Sequence, residues 1–419
     1  METTLQEDDG MTAHGSTEQK PGDLDVGFAD EGMINIEQGS SRCVVETTTE
    51  KLLYVAQEGN SQWVYRADSG GNPDPDFKTF EWNFANGAFE RPTRLLARED
   101  GKFLLIGDTG RGPFTKQTAI TRFNSNSSPD LIFGTKVFPF PVDPVPPGQS
   151  LQTDEPVGCL TADSHVLVGA SYQWVDSDGA TLDSAGRVYS LDDQGKTVDG
   201  FNQSGMIEVR FNGAISKILS LCVLADGRIV VFGIVDRLSQ GQSDSRAALA
   251  CYHRNGTLDT TFGTGGYWEN DDFTYFAAMA VDGEKIVIAA VTSINDDGKR
   301  YIAVQRLLGN GTEDPSFNDA TKLVVDLNTS FLNIPSVAVQ PDKKIVIGGS
   351  EDFPEQKMYW VRITAGGVLD ATFGDLGTVR QQTGRINEII VQRTANRIII
   401  AADLGSPQLL QAKVLGIQS

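Results

Sequence analysis

Histidine and cysteine, the residues that most often build catalytic and metal centres, are scarce in this sequence. The 419 residues include only three histidines and four cysteines. His14, His165 and His253 are widely separated along the chain, and no two cysteines form a Cys-x-x-Cys pair. The sequence therefore gives no support to a catalytic triad, a three-histidine metal site, a zinc site or a disulfide framework.

Long apolar runs are also missing. No stretch approaches the roughly eighteen apolar residues that a membrane helix needs. Residues 1–20 contain neither the basic start nor the apolar core of a signal peptide. We expect these residues to form a disordered tail. We also expect a protein that does not insert into membranes and that is cytoplasmic, unless it is exported by a non-classical route.

Positive charge is in deficit. The chain has 35 Lys and Arg residues against 56 Asp and Glu residues, which gives a formal net charge of −21. A field of this sign repels phosphate backbones and anionic membrane surfaces. Nucleic acid is therefore excluded as an expected partner, and the acidic surface is interpreted as a means of solubility.

What the sequence does contain is a repeat marked by phenylalanine. The seven marker residues lie 49 to 68 positions apart and are Phe28, Phe77, Phe133, Phe201, Phe262, Phe317 and Phe373. Six of them follow an aspartate by three positions, as in "DTTF" from Asp259, whereas Asp199 lies one residue closer to its phenylalanine. We predict that the aspartate caps a tight turn and that the phenylalanine is a buried wedge between neighbouring layers.

Between successive wedges each repeat carries a hairpin whose second strand is almost wholly apolar. Runs such as "RIVVFG" and "KIVIGG" are typical of strands that are buried on both faces. Many of these runs reach a small residue, such as Gly107, Gly233 or Gly349, where a bulky side chain is expected to hold the layers apart. A third strand follows a variable loop, and the wedge turn leads to a fourth.

Four strands repeated seven times predict an all-β fold, a seven-bladed β-propeller of four-stranded antiparallel blades. The last repeat, from about Arg385, supplies three strands. The first segment, "GDLDVGFADEGMINI", supplies only a wedge and a fourth strand. We therefore predict that the N-terminal strand completes the last blade and closes the ring, with residues 21–419 as a single domain.

The repeat pattern is similar to a known module. "ADGRIVVFG" followed by "YHRNGTLDTTFGTGGY" resembles the bacterial delta-60 repeat, a propeller-type module, and the resemblance is strongest in the fourth to sixth repeats. It covers the chain from about residue 21 to its end. The resemblance implies a propeller fold but no reaction, so it identifies no catalytic residue.

The cysteines fit the same repeat. Cys43, Cys159 and Cys222 are assigned to one repeat position, at which other repeats have alanine or isoleucine. An exchange of this kind is typical of a small buried apolar slot. We predict that these three residues and Cys251 are buried free thiols without a redox or metal-binding role.

The longest variable segments are candidates for binding. Residues 138–156, 169–186 and 233–246 come from consecutive repeats and are predicted to emerge on one face of the ring, here called the loop-rich face. Long loops on a rigid scaffold often carry binding residues, although these could also merely decorate the ring. Tyr172 and Trp174 are predicted to be exposed aromatic anchors. The full set of candidate ligand-binding residues is Phe140, Tyr172, Trp174, Asp176, Asp178 and Arg237.

Two functional classes remain open from the sequence. The favoured one is a monomeric, non-enzymatic binding or scaffolding propeller that recognises a protein or glycan through the loop-rich face. The other is a hydrolase or lyase that uses carboxylates at the mouth of the central channel. No cofactor is expected. The segment "DSDGATLD" from Asp176 is only a fragment of a calcium loop, since the first ligand and the final glutamate are missing, and structural calcium is a minor alternative.

Overall fold

A computed structural model describes residues 19–37, 39–112, 116–141, 145–239, 242–292, 298–351, 356–406 and 409–419. The side chains of residues 236–239, 242–244, 274–276 and 382 lie outside this description. So does the predicted tail, apart from Gln19 and Lys20. The described residues form 28 β-strands and three short 3₁₀ helices. None of the helices found in these ranges is long and apolar enough to cross a membrane.

The strands in chain order are β1 (Met33–Asn35), β2 (Ser40–Glu46), β3 (Leu52–Glu58), β4 (Ser61–Ala67), β5 (Phe80–Trp82), β6 (Phe89–Ala97), β7 (Phe103–Gly110), β8 (Lys116–Phe123), β9 (Thr135–Val137), β10 (Gln149–Thr153), β11 (Val157–Leu160), β12 (Val166–Asp176), β13 (Thr181–Leu191), β14 (Met206–Val209), β15 (Ile215–Val223), β16 (Ile229–Ser239), β17 (Gln242–Tyr252), β18 (Tyr267–Asn270), β19 (Phe273–Asp282), β20 (Lys285–Thr292), β21 (Arg300–Leu307), β22 (Leu323–Thr329), β23 (Leu332–Val339), β24 (Ile345–Glu351), β25 (Lys357–Ile363), β26 (Thr378–Gln392), β27 (Arg397–Leu404) and β28 (Gln411–Ile417). The 3₁₀ helices are Phe201–Gln203, Phe211–Gly213 and Asn318–Ala320.

Hydrogen bonds join the strands of the described residues into six antiparallel sheets. Four of the sheets have four strands in chain order, as predicted: β2–β5, β6–β9, β15–β18 and β19–β22. The third repeat differs, because β10 and β11 pair with successive parts of the long strand β12 and give a five-stranded sheet. The expectation of uniformly four-stranded blades is therefore wrong for this repeat.

The sixth sheet has seven strands because β26 belongs to two repeats at once. The first part of β26, from Thr378 to Thr383, pairs with β25, and the part from Gly384 to Gln392 pairs with β27. No turn separates the two parts, so the chain passes from one repeat to the next as one extended strand. At the far edge of this sheet, β1 pairs with β28 through Met33 and Leu415.

The first strands of the repeats contact one another in a closed cycle. The order of contacts is β2, β6, β11, β15, β19, β23, the second part of β26, and β2 again. Sheets arranged around a ring of innermost strands make an all-β β-propeller. The first residues of several innermost strands surround a cavity that residues 154–156, Ile234 and Ser245 of the variable segments also line.

The apolar second strands are buried on both faces, as predicted. Residues 52–56 of β3 are all buried, and so are residues 103–109 of β7 and the whole of β24. The core lies between successive sheets rather than within one of them, so each sheet is stabilised by its two neighbours.

The aspartate-to-phenylalanine element has the predicted structure. In six repeats the aspartate accepts a hydrogen bond from the backbone N–H two positions later, at 2.9–3.1 Å. All seven marker phenylalanines are buried, with at most 7% of the residue exposed. In the third repeat Val198 occupies the position of the aspartate, three residues before Phe201.

A third member of this element was missed from the sequence. An arginine eight residues before the aspartate binds its second carboxylate oxygen, as Arg122 binds Asp130 at 2.8 Å. The same guanidinium lies over the wedge ring, 4.8 Å from the centre of Phe133. Equivalent pairs stack in three other repeats: Arg66 on Phe77, Arg306 on Phe317 and Arg362 on Phe373. In the last repeat Arg397, from the start of β27, binds Asp25 and stacks on Phe28 instead. The Arg–Asp–Phe cluster is therefore a structural element.

Candidate binding site at the channel mouth

A cavity of about 790 Å³ opens where the innermost strands begin, on the loop-rich face. It is lined by the first residues of β2, β6, β15 and β23, by the second part of β26, and by the link between β10 and β11. Its size lies within the range of small-molecule binding sites in proteins. We call this cavity the channel mouth.

β-bulges direct side chains into the channel mouth. In β2 the register passes from Ser41 opposite Ala56 to Cys43 opposite Val55, so Arg42 is an extra residue without a cross-strand partner. Thr93, Leu219 and Asn387 are the corresponding extra residues of β6, β15 and β26. All four line the cavity. A bulge bends its strand and reorients one side chain. Here the bulges lie near the start of the innermost strand in several repeats.

The small residues of the apolar strands make room for these bulges. A Cβ added to Gly107 would lie 2.2 Å from the Arg91 carbonyl oxygen, and one added to Gly233 would lie 1.9 Å from that of Lys217. At Gly349 the corresponding distance to the Asn333 carbonyl is 1.9 Å. The sequence prediction that these positions must be small is confirmed, but the reason is contact with a bulged backbone within the same sheet.

The channel mouth is rich in cations although the chain is strongly acidic. Its lining includes Arg42, Arg91, Arg94, Lys217 and Arg385, against the carboxylates of Asp154, Glu155 and Glu388.

Most of these cations form ion pairs. Arg91 pairs with Glu155 and Arg94 pairs with Glu388. Lys217 lies 3.7 Å from Asp154. Arg385 binds the fully buried Asp403 at 2.8 Å.

Arg42 is the exception among these cations. Among the described residues it has no ion-pair partner, and its buried Nε–H has no acceptor to which it can donate a hydrogen bond. Burial, followed by the like charges of Arg91 and Arg385, lowers the pKa of Arg42 to about 10. A guanidinium with an unused N–H, held near two others, is a ready partner for an anion.

Deeper in the channel lies the pair of Arg94 and Glu388. Burial raises the pKa of Glu388, and the neighbouring Arg94 opposes this shift. One Glu388 oxygen also accepts the backbone N–H of Val44 at 2.8 Å. Each carboxylate oxygen therefore accepts a hydrogen bond from the protein.

The thiols are buried to different degrees. Cys43 and Cys251 are buried, as predicted, whereas Cys159 and Cys222 are partly exposed. The assignment of three cysteines to one repeat position is wrong for Cys43. Cys159 and Cys222 lie opposite the second residue of the following long strand, but Cys43 lies opposite Val55, the fourth residue of β3.

The predicted aromatic anchors do not form an exposed patch. Tyr172 is buried, with 1% of the residue exposed, and it packs against Leu151 and Ala170. Trp174 and Phe140 are half-buried against the same small cluster. The expectation of an exposed Tyr172 was wrong because β12 and β13, with eleven residues each, form a long hairpin whose side chains need their own core.

The remaining predicted residues lie apart from the channel mouth. The Asp176 carboxylate accepts the backbone N–H groups of Asp178 and Ala180 at 2.9 and 2.8 Å, so it shapes the hairpin turn. Asp178 is exposed at that turn. The side chain of Arg237 lies outside the described residues. Within the described part of the chain, no group of three or more His, Cys, Asp or Glu side chains is arranged to hold a metal ion.

Two of the three predicted loops nevertheless reach the channel mouth. Residues 154–156 from the first loop line it, and so do Ile234 and Ser245 from the third. Of the predicted ligand-binding residues whose side chains are described, none belongs to the described lining of this cavity. Arg42, Arg91 and Arg385 were missed because the sequence does not reveal that strands far apart in the chain begin around one cavity.

Sequence comparison finds one family match. Residues 224–262, 284–317 and 340–373 match the family described as "Domain of unknown function (DUF5122) beta-propeller". The match supports a β-propeller repeat family. It covers the fourth to sixth repeats, where the predicted resemblance is strongest. No curated protein matches the chain by sequence.

Several solved structures resemble the fold. A protein of unknown function from Dyadobacter fermentans is 11% identical, with a TM-score of 0.45 over 92% of this chain and 99% of that one. Drosophila Plexin A, solved in complex with Semaphorin 1b, is 10% identical, with a TM-score of 0.46 over 96% and 88%. Virginiamycin B lyase from Staphylococcus aureus is 10% identical, with a TM-score of 0.43 over 91% and 98%. Plexin A and virginiamycin B lyase differ in function, and the function of the Dyadobacter protein is unknown. Likenesses of this kind therefore do not identify the activity of this chain.

Proposed function

We propose that this protein is a non-enzymatic binding propeller that recognises a protein or glycan partner through its loop-rich face, with the channel mouth as the point of recognition. The observation that carries the proposal is Arg42, a bulged residue whose partly buried guanidinium has no partner in the described protein. Unpaired polar groups in a cavity are costly to stability and are typical of sites that a ligand completes.

The architecture that we propose for this function is a ring of seven blades, related to the delta-60 repeats. On this view the seven-stranded sheet supplies two blades, which share β26, and β1 is the outer strand of the last. The pairing of Met33 with Leu415 supports closure by the N-terminal strand. Deletion of residues 1–36 is then expected to lower the thermal midpoint far more than deletion of residues 1–18.

The alternative, a hydrolase or lyase with carboxylates at the channel mouth, has less support. Acid–base work on a substrate needs carboxylates that are free to exchange protons. Glu155 and Glu388 are paired with Arg91 and Arg94 instead. Asp154 has one oxygen without a hydrogen-bond partner among the described residues, with the Lys217 ammonium 3.7 Å away. We therefore propose that the protein binds its ligand without converting it. We further propose that it acts as a monomer and without a metal or cofactor.

A mutation that fills the channel mouth tests the proposal. Pro335 is an exposed residue of its lining, and Pro335→Trp would place an indole in the cavity. Pro75 is an exposed proline in a wedge turn, and Pro75→Trp is the matched control. Both variants and the wild type would be applied to arrays of proteins and of neutral and acidic glycans, after thermal melts have shown that they fold.

The proposal expects ligands that bind the wild type and Pro75→Trp but not Pro335→Trp. Equal binding to all three proteins would contradict a role of the channel mouth. Chemical conversion of a bound ligand by the wild type would favour the enzyme instead.

A further inference from the structure

We infer that the ligand of the channel mouth presents one carboxylate on a small hydroxylated molecule, as a sugar acid does, and that Arg42 binds this carboxylate. The inference rests on the proposed function, because it assumes that the channel mouth is the binding site. It names the chemical class of ligand that the charges and shape of the cavity would accept.

The number of charges points to a single negative group. Arg91, Arg94, Lys217 and Arg385 each have a carboxylate neighbour at the channel mouth or behind it. Arg42 alone among the described lining cations forms no ion pair, although the charges of Asp403 and Glu155 act on it from beyond ion-pair distance. Among the described residues, one cation of the lining therefore has no ion-pair partner, and a single anion would supply one.

The arrangement around Arg42 favours a carboxylate over a doubly charged phosphate. A guanidinium presents a planar fork of N–H donors that matches the two oxygens of a carboxylate. A bound anion would also offset the repulsion that Arg91 and Arg385 exert on Arg42. A second negative charge would have no free cation to meet, and it would lie near Glu155 and Glu388, where like charges repel.

The rest of the cavity favours hydroxyl groups on a small molecule. Asp154 and Glu155 expose 37% and 55% of their side chains beside the cationic lining, and carboxylate oxygens accept hydrogen bonds from hydroxyls. No aromatic side chain belongs to the described lining, so recognition there depends on polar and charged groups rather than on stacking. The net charge of −21 opposes polyanions.

Calorimetric titration with small probes tests this inference. D-glucuronate carries one carboxylate and several hydroxyls, D-glucose lacks the carboxylate, N-acetylalanine lacks the hydroxyls, and inorganic phosphate carries a different anion. Each probe would be titrated at neutral pH and low ionic strength, because salt weakens such interactions. The proteins are the wild type, Arg42→Gln, Arg42→Lys and Arg210→Gln. Arg210 pairs with Asp183 away from the channel mouth, so its variant is the matched control.

We expect the wild type and Arg210→Gln to bind D-glucuronate more tightly than the other three probes. Arg42→Gln should raise the Kd for D-glucuronate by about tenfold or more, as expected for a lost charge-assisted hydrogen bond. The Kd of Arg42→Lys for D-glucuronate should lie between those of the wild type and Arg42→Gln, because lysine keeps the positive charge but not the planar fork of N–H donors.

Three results would overturn the inference: equal binding of D-glucose, tighter binding of phosphate or N-acetylalanine, or an unchanged Kd in Arg42→Gln. Absence of D-glucuronate binding would overturn it as well. If other ligands of the arrays were still lost in Pro335→Trp, the proposed function would stand and only the assignment of the ligand class would fall.

Discussion

The carbonyl oxygen of Arg91 lies against the α-carbon of Gly107, so closely that a Cβ at Gly107 would sit 2.2 Å from it. This contact links the apolar second strand of the repeat to the bulge that turns Thr93 into the channel mouth. A side chain at Gly107 must therefore displace the bulged backbone. The binding site and the packing of the sheet are thus parts of one structure.

Gly107→Ala is predicted to destabilise the protein by about 1–3 kcal/mol, the usual cost of overpacking. Gly200→Ala is the control, because Gly200 has a negative φ of −71° and no atom lies within 4 Å of its added Cβ. The control is expected to change stability by less than about 1 kcal/mol. Urea unfolding measures both, and equal midpoints for the two variants would contradict the role of the glycine.

Asp370→Ala is predicted to cost more stability than Asp259→Ala. Arg362, whose side chain is 2% exposed, has Asp370 as its only carboxylate partner among the described residues, at 2.9 Å. Removal of one partner from such a buried pair typically costs about 3–5 kcal/mol. Arg228 keeps Asp226 and Glu284 when Asp259 is removed, so we expect a loss of about 1–2 kcal/mol there.

Denaturant unfolding of the two aspartate variants measures this difference. Both aspartates also accept a hydrogen bond from the backbone N–H of the threonine two positions later. The loss of this turn cap is therefore common to both variants. Similar losses of unfolding free energy would show that burial of the arginine does not decide the cost.

Stability is predicted to fall in acid because of the wedge aspartates. Burial acts to raise the pKa of Asp314, but hydrogen bonds from Lys285, Ser316 and Arg306 outweigh it and hold this pKa well below its usual value. A carboxyl group whose pKa is lower in the folded than in the unfolded state stabilises the fold above its unfolded pKa, near 4, and loses this contribution as the pH falls.

The free energy of unfolding should therefore decrease as the pH is lowered from about 5 towards 3. Asp314→Asn removes one titrating group and should reduce the slope of this decrease. Unfolding curves measured across that range test the prediction, and an identical slope in the variant would show that Asp314 does not contribute.

Arg42→Gln is predicted to leave the unliganded protein as stable as the wild type, or more stable by about 1 kcal/mol. The substitution removes a partly buried charge that has no carboxylate partner and that two neighbouring guanidiniums repel. A gain in stability at a residue needed for binding is typical of functional sites. A clear drop in the thermal midpoint would mean that Arg42 has a structural role.

The sequence revealed the fold more fully than the site. The wedge phenylalanines and the buried apolar strands follow from local patterns that each repeat contains, so they could be predicted. The spacing of eight residues between Arg122 and Asp130 was a further signal that could have been found. The start of the last repeat at about Arg385 was predicted, and it agrees with the change of pairing partner in β26 between Thr383 and Gly384.

The site was harder to predict because its residues are brought together only by ring formation. Arg42 and Arg385 are more than three hundred positions apart, and both lie in strands that read as ordinary repeat sequence. The direction of Arg42 depends on a bulge, which inserts a residue without changing the hydrophobic pattern on either side. Tyr172 was misplaced for the opposite reason, since its loop position suggested exposure but the extended hairpin buries it.

A crystal structure of the protein with D-glucuronate is the most direct test of the central claim that Arg42 is the anion-binding residue of the channel mouth. The account predicts the ligand carboxylate about 2.7–2.9 Å from the Arg42 guanidinium, with hydroxyls directed towards Asp154 and Glu155. An Arg42 guanidinium paired with a carboxylate of the protein, with no ligand at the channel mouth, would contradict it.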